Sequence, residues 1–329
     1  MNEKVFATLK STETEDWVDC HLVRPFSYLW ACLFARLGIH PNTVTVISMI
    51  VGAGSCVFFA RGSYYYEGMV GLYCNLIAVV LLLFADVLDC TDGQLARMTG
   101  KKSRLGRILD GVAGFVWFTP IYLALVYRFY LHHDIEFSWL GIADTEQNAL
   151  IATVVVFVLG LVSGIVGLAG QQRLADYYIQ IHLLFQKGEK GCELDNSVQQ
   201  QEIYKQMPWK PWKENLVWKI FQYSYVGYTQ KQERVTPKFQ QLMSVLRKKY
   251  GSVGEIPQDV REEFHRRSCV LMKFNDLLTF NFRSAWLFLF CLLDIPVGNF
   301  LFEIIIMSMI ANYVNRRHER LCQQITQKL

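Results

Sequence analysis

Six long apolar stretches constrain the fold of this chain more than any other feature of its sequence. A helix needs about 20 predominantly apolar residues to cross a bilayer, and six stretches approach that length: residues 43–60, 69–88, 105–126, 149–168, 277–295 and 297–314. Of the 329 residues, 52% are hydrophobic, which agrees with that number of spans. The sequence therefore predicts an all-α, polytopic membrane protein with six transmembrane helices.

The segments outside these spans have helix signals of their own. Residues 17–37 combine apolar positions with basic ones, a pattern typical of an amphipathic helix in the membrane interface, although a packed cytosolic helix fits it equally well. The polar segment before the fifth span has helix starts at Pro237 and Pro257. The predicted organisation is an N-terminal segment with an interfacial helix (1–42), spans 1–4 (43–170), a helical cytoplasmic insertion (171–275), spans 5–6 (276–315) and a tail (316–329).

Aromatic residues and lysines alternate in the middle of the insertion, at residues 207–228. Such a pattern can bind single-stranded nucleic acid, but beside membrane spans it is more typical of anchoring in the lipid interface. We therefore expect membrane lipids, and no nucleic acid, as partners of this segment. A cap over the mouth of a site, or part of a dimer surface, is the preferred interpretation.

The distribution of Lys and Arg predicts the orientation in the membrane. Cationic residues are concentrated after the second span and after the last: Arg97, Lys101, Lys102 and Arg104, then Arg316, Arg317 and Arg320. The first and third connections are short or acidic. Both termini, the connection after the second span and the insertion are therefore expected to face the cytoplasm.

Four aspartates lie at the edge of apolar stretches between residues 84 and 114: Asp86, Asp89, Asp92 and Asp110. Ionisable residues are costly there and usually face a polar cavity or a bound ion. On a helix that advances about 100° per residue, the first three share one face with Gly93, Ala96 and Arg97. Crowded carboxylates repel one another unless a hard divalent cation lies among them, and an all-oxygen ligand set suits Mg²⁺, Mn²⁺ or Ca²⁺ rather than zinc.

The remaining residues of this stretch suit a phosphate group. Small residues leave room for a ligand to approach the backbone, and Arg97 can donate to a phosphate. Gly106, Asp110 and Gly114 recur every four residues, so they align on one face of a following helix. Two such helices could share one site for a metal ion and a diphosphate.

These residues resemble the CDP-alcohol phosphotransferase family, whose motif reads D-x2-D-G-x2-A-R, then about eight residues, then G-x3-D-x3-D. Seven positions match it: Asp89, Asp92, Gly93, Ala96, Arg97, Gly106 and Asp110. The start of the first span, Pro41-Asn42-x-x-Thr45, also resembles the P-N-x-x-T sequence common in the family.

The resemblance implies a transferase that moves a substituted phosphate from a CDP-linked donor to an alcohol or lipid acceptor and releases CMP. It implies a role in the synthesis of phospholipids or related headgroups, an active site on the cytoplasmic side and a homodimer. Mg²⁺ or Mn²⁺ would be held by Asp89, Asp92 and Asp110, the last of which we also count as a catalytic residue. The donor would be bound by the motif residues and the first span: Gly93, Ala96, Arg97, Gly106, Asn42 and Thr45.

One position departs from the family pattern. The last aspartate of the motif, proposed in the family as a metal ligand and as the base for the acceptor hydroxyl, is replaced by Gly114. Asp86, one turn before Asp89, is the nearest acidic candidate for that catalytic role; its alternative role is as a further metal-binding or supporting carboxylate. The alternative function is a catalytically impaired family member that binds nucleotide or lipid, or acts as a scaffold.

Other polar residues near the spans allow more than one interpretation. Arg173 and Arg283 could hold an anionic acceptor or the donor's phosphates, and snorkelling toward lipid headgroups explains them as well. Glu303, inside the sixth span, is expected to make a structural hydrogen bond. A metal-ion transporter is disfavoured because the motif carboxylates cluster at one membrane edge beside a cationic residue. The sequence does not determine which donor and acceptor are used.

Overall fold

A computed structural model of the chain describes residues 11, 13–101, 103–209, 212–251 and 253–329. The first ten residues of the predicted N-terminal segment, Lys102 of the cationic connection and Lys210 of the aromatic and lysine-rich stretch lie outside the described residues. The residues that the structure describes form helices and turns, with no strand among them, so the predicted all-α fold is confirmed.

The helices follow one another in chain order. They are α1 (Arg24–Arg36), α2 (Pro41–Gly54), α3 (Cys56–Ala60), α4 (Tyr64–Glu67), α5 (Met69–Thr99), α6 (Arg104–Leu131), α7 (Asp134–Leu140), α8 (Glu146–Ser163), α9 (Arg173–Lys187), α10 (Ser197–Gln206), α11 (Trp212–Val235), α12 (Pro237–Tyr250), α13 (Gln258–Asn275), α14 (Phe280–Leu292), α15 (Pro296–Phe302) and α16 (Ser308–Lys328). Wider, π-helical turns lead into α1, α9 and α16, at Asp19–Val23, Gly164–Gln172 and Glu303–Met307.

Five helical stretches among the described residues are long and apolar enough to cross a membrane. They are Pro41–Ala60, Met69–Thr99, Leu109–Leu131, Glu146–Lys187 and Pro296–Lys328, and each overlaps one predicted span. The chain is thus an integral membrane protein. The remaining predicted span, 277–295, contains α14, which has 13 residues and is shorter than the roughly 20 that a crossing needs. The count of six spans stays a prediction.

The chain divides into two units. The first contains the chain up to Gln171 together with Leu277–Ser308, and the second contains Gln172–Asp276 together with Met309–Leu329. The second unit has an aromatic core of its own, to which α9, α12, α13 and α16 contribute Tyr178, Phe239, Phe264 and Leu321. Glu319 caps α12 in this unit, because its carboxylate accepts from the backbone N–H groups of Lys238 and Phe239 at 2.7 and 3.3 Å.

The core of the first unit depends on a close approach between α2 and α6. A Cβ atom at Gly52 would lie 2.3 Å from the Trp117 ring, so only glycine lets the two helices pack at this distance. The Trp117 indole N–H donates to the carbonyl of Ser48 at 3.1 Å. Further buried residues of the same core come from α3, α5 and α15: Phe59, Leu82 and Phe300.

Helix α1 covers one side of α5. The Ser27 hydroxyl donates to the carbonyl of Val87 at 2.9 Å, and the Thr91 hydroxyl lies 3.3 Å from the carbonyl of Ser27. The opposite face of α1 carries exposed apolar side chains, among them Phe26 and Leu29. One face therefore packs on the membrane helix, and the other has the amphipathic character predicted for a helix in the lipid interface.

A polar cluster links the ends of α6 and α14 and explains why α14 is short. Asp294 has a backbone φ of 58°, which few non-glycine residues adopt. Its carboxylate accepts from the Arg128 guanidinium and from the backbone N–H of Tyr65, the latter at 2.9 Å. Arg128 also donates to Asn75 Oδ1 at 3.1 Å. These pairings hold the turn that ends α14, and the sequence analysis did not identify them.

A buried ion pair also crosses the first unit, between Arg283 of α14 and Glu303. Arg283 Nη1 lies 3.1 Å from Glu303 Oε2, and the two side chains are 2% and 1% exposed. Glu303 also accepts from the hydroxyls of Tyr122 and Ser163, which confirms the structural hydrogen bond expected for it. A charge buried in this way is stable only while its partner is present.

We predict that Arg283→Met lowers the melting temperature of the detergent-solubilised protein strongly. Removing one member of a buried pair leaves the other charge without compensation, at a cost of about 3–5 kcal/mol. The double variant Arg283→Met/Glu303→Gln removes both charges and should melt above Arg283→Met alone. If the two substitutions instead lower the melting temperature additively, Arg283 and Glu303 are not coupled as described.

Candidate active site

A hydrogen bond joins the start of the first span to the aspartate motif. Helix α2 begins at Pro41, directly after His40 in an extended conformation. Thr45 therefore lies one turn into the helix, where it is fully buried. The Thr45 hydroxyl donates to Asp92 Oδ2 on α5. The structure thus brings together two residues that the sequence predicted from separate motifs.

A second contact joins Asn42 to the other half of the motif. Ser103 caps α6, because its hydroxyl oxygen accepts from the backbone N–H of Gly106 at 2.9 Å. The same hydroxyl donates to Asn42 Oδ1, also at 2.9 Å. A Cβ atom at Gly106 would lie 2.8 Å from Asn42 Oδ1. A larger residue at position 106 would therefore displace the Asn42 side chain from this contact.

Several charged atoms at the site are buried without a hydrogen-bond partner. They are Asp86 Oδ2, Asp89 Oδ1 and Arg97 Nε. Asp89 also lies in the electrostatic field of Asp110 and Asp92. A buried carboxylate oxygen without a donor is costly in the protein alone, and a bound cation would remove that cost. The oxygen donors of these aspartates fit Mg²⁺ or Mn²⁺.

The three predicted metal ligands do not converge on one point. Asp89 and Asp92 lie on α5 and Asp110 on α6, but their oxygens are not all within 4.8 Å of one another. One such convergence among the described residues lies within the second unit, at His318, Glu319 and Cys322. There Glu319 caps a helix, so the motif carboxylates remain the better candidates for a cation site.

Arg97 folds back over the small residues that precede it. A Cβ atom at Gly93 would lie 3.3 Å from Arg97 Nη1, so the guanidinium covers the glycine backbone one turn earlier on α5. Ala96 lies beside it on the same helix. A phosphate that approached Gly93 would meet the guanidinium directly.

Asp86 lies in the electrostatic field of the N-terminal segment. The charged groups that act on it most strongly are Asp19, Arg24 and Asp16. Asp16 and Asp19 both accept from the Asn281 amide at 2.8 Å. Burial, together with the neighbouring Asp16 carboxylate, raises the pKa of Asp19 to about 6. Asp86 therefore lies between the motif and a second acidic group, at residues 15–19.

The sequence analysis missed this second acidic group. Its signal was the acidic run before α1, but Asn281, which binds two of its members, is more than 250 residues away in the chain. Glu15 is neutralised locally, because Arg24 donates to its two oxygens at 2.8 to 3.0 Å. The arrangement ties the segment before α1 to α14.

The two arginines predicted as weak substrate ligands lie in different units. Arg283 is buried in the pair with Glu303 and also donates to Gln171 Oε1 at 3.1 Å, which favours a structural role. Arg173 lies in the second unit, with its guanidinium carbon 5.8 Å from the centre of the Tyr228 ring.

Gly114 lies on α6, one turn after Asp110, and is half-buried.

The similarities of this chain to known proteins lie in the part that contains this site. The sequence model of the CDP-alcohol phosphatidyltransferase family matches residues 38–166. The chain is similar to a phosphatidylinositol phosphate synthase of Streptomyces avermitilis, with 34% identity over 82 residues, which cover 25% of this chain and 29% of that protein. It is also similar to an archaetidylinositol phosphate synthase of Pyrococcus horikoshii, with 34% identity over 76 residues, which cover 23% of this chain and 35% of that protein.

The matches therefore span about a third of the length of these relatives. No solved structure matches the chain. The matched range contains the predicted motif together with Asn42 and Thr45, which contact it. The family model thus matches residues 38–166 of this membrane protein, and the resemblance that the motif predicted is confirmed.

Proposed function

We propose that the protein is a transferase that moves a substituted phosphate from a CDP-linked donor to an alcohol acceptor, with release of CMP, in phospholipid synthesis. The observation that carries this proposal is the junction of α2, α5 and α6, where Thr45 contacts Asp92 and Asn42 contacts the cap of α6. The sequence has seven of the eight motif residues, the exception being the aspartate replaced by Gly114. The matches to the family and its two relatives support the same reaction class.

A divalent cation, Mg²⁺ or Mn²⁺, fits the carboxylates of Asp89, Asp92 and Asp110. When bound, it would neutralise the donor diphosphate and stabilise the departing CMP. The Thr45 hydroxyl donates to one oxygen of Asp92 and so fixes the orientation of that carboxylate. The unpartnered oxygen of Asp89 is already buried, so it has no solvent shell to lose on binding.

The other residues of the site would position the donor. Arg97 would donate to its phosphates, and the absence of side chains at Gly93 and Gly106, with the small Ala96, leaves the backbone open to the nucleotide. Asn42 and Thr45 would line the side of the site formed by α2. Phosphoryl transfer of this kind depends mainly on positioning and charge neutralisation, which these residues can supply.

Asp86 is the proposed base that accepts the proton of the acceptor hydroxyl in place of the aspartate missing at Gly114. It is a buried carboxylate with an unpartnered oxygen, and its charge acts on Asp89. A catalytically impaired protein that binds nucleotide or lipid, or acts as a scaffold, is the second candidate, and Gly114 is the observation that favours it.

The substrates and setting follow from the relatives and from the charge distribution. The names of the two relatives make a lipid-linked CDP donor and inositol phosphate the first pair to test. Arg173 remains a proposed contact for an anionic substrate. The excess of cationic residues after the second and last spans supports an active site and termini that face the cytoplasm. A homodimer remains part of the proposal.

We predict that Asp89→Asn and Asp92→Asn each lower CMP release by more than about 100-fold, since loss of a ligand should exceed the effect of losing a supporting contact. The assay uses purified protein in lipid with Mn²⁺, and Asp259→Asn on the exposed start of α13 is the control. Equal activity of Asp92→Asn and Asp259→Asn would contradict the proposed metal site.

The replaced aspartate gives a second prediction. Asp86→Asn should lower kcat by about 10² to 10⁴, the range of a general base, while binding of a CDP-linked donor is retained. Gly114→Asp is the companion variant. If wild-type protein is inactive and only Gly114→Asp releases CMP, the second candidate function is correct and Asp86 is not a sufficient base.

A third prediction concerns the junction of α2 and α6. Gly106→Ala would force Asn42 away and should lower kcat/KM by about 10- to 100-fold, as displacement of a positioning group does. Gly111→Ala on the same helix is the matched control, because nothing lies within 4 Å of a Cβ atom there. Loss of activity in both variants would indicate a general effect on α6 instead.

A further inference from the structure

A groove of about 420 Å³ lies between α13 and α16 in the second unit. None of the residues considered for phosphate transfer line it. Most of its lining is cationic or apolar, including Arg267, Arg317 and Arg320 together with Val270, Phe274 and Tyr313. A groove with both properties suits a ligand that has a negative group and an apolar part.

The apolar part of the groove is open. Val270, Phe274 and Tyr313 are 59%, 38% and 41% exposed. The rings of Phe274 and Tyr313 lie 5.3 Å apart across the two helices and form one continuous wall. Exposed aromatic and aliphatic side chains that form a concave patch indicate a binding surface.

The cationic part carries uncompensated charge. Arg267 lies 3.5 Å from Glu263 and donates to Gln324, so its charge is partly balanced. Within the described part of the chain, Arg317 and Arg320 make no ion pair. The Arg317 guanidinium carbon lies 5.4 Å from the centre of the Tyr313 ring, which brings the charge to the edge of the apolar wall.

The distances of these residues from the ends of the predicted spans match the depth of a lipid headgroup. The last predicted span ends at residue 314, and a helix rises about 1.5 Å per residue. Arg317 and Arg320 are therefore roughly 5 and 9 Å beyond it along α16. On α13, Phe274 comes three residues before the predicted fifth span and Arg267 ten residues before it. On both helices, then, the apolar side chains are nearer the predicted spans than the arginines.

We propose that this groove binds one anionic phospholipid of the cytoplasmic leaflet. Its phosphate would accept from Arg317 and Arg320, with Arg267 at the rim, and one acyl chain would lie against Val270, Phe274 and Tyr313. Guanidinium groups recognise phosphate by paired donation, and the apolar wall selects a lipid over a soluble phosphate. The site does not depend on the proposed transferase reaction, and the lipid held there is not the reacting donor.

The test is a titration of phosphatidylglycerol into the full-length protein in neutral detergent, with bound lipid counted by native mass spectrometry. Arg317→Gln/Arg320→Gln should weaken binding by about 25-fold, since each arginine near an anionic lipid contributes about fivefold. The matched control is Arg266→Gln/Arg316→Gln, which removes the same charge from two exposed positions on the same helices that do not line the groove. The control should bind as the wild type does.

A second variant tests the apolar wall without changing charge. Val270→Trp fills the groove at an exposed position and should abolish binding of the counted lipid, while the melting temperature stays at the wild-type value. Phosphatidylcholine should bind at least tenfold more weakly than phosphatidylglycerol. The proposal is overturned if the matched control loses binding equally, or if Val270→Trp binds the lipid as the wild type does. It is also overturned if phosphatidylcholine binds equally well, or if 10-fold excess inorganic phosphate displaces the lipid.

Discussion

The placement of carboxylates inside an apolar membrane helix is the constraint on which the rest of the structure depends. Asp86, Asp89 and Asp92 occupy one face of Met69–Thr99, where charge is costly unless it is paired or bound. The hydroxyl of Thr45, in the first span, donates a hydrogen bond to Asp92. Two oxygens remain buried without donors, and this is the strongest physical reason to place a cation and a diphosphate at the site.

Two other carboxylates of the same unit are paired internally. Glu303 forms an ion pair with Arg283 and accepts hydrogen bonds from the hydroxyls of Tyr122 and Ser163. Asp294 accepts from the Arg128 guanidinium and from the backbone N–H of Tyr65 in α4. These two carboxylates have donors, whereas Asp86 and Asp89 each keep one buried oxygen without a donor. The contrast separates charges that hold helices together from charges that are kept for a ligand.

The sequence predicted six apolar spans, five of which overlap long apolar helices, and it predicted the motif face, because these features depend on local composition and spacing. It also predicted that Asn42, Thr45 and Gly106 belong to one site, but only through resemblance to a family. It could not predict that Arg283 pairs with Glu303, or that Asn281 binds Asp16 and Asp19, because those pairings are made by tertiary packing. The fifth predicted span was apolar enough by composition, yet Asp294 turns the chain and shortens its helix.

The most direct test of the account is a structure of the protein determined with CDP and Mn²⁺, using the anomalous signal of manganese to locate the ion. The account predicts manganese bound to carboxylate oxygens of Asp89, Asp92 and Asp110, with the diphosphate of CDP beside Arg97 and the cytidine near Asn42. Manganese at His318, Glu319 and Cys322 instead, or CDP bound away from the junction of α2, α5 and α6, would contradict it.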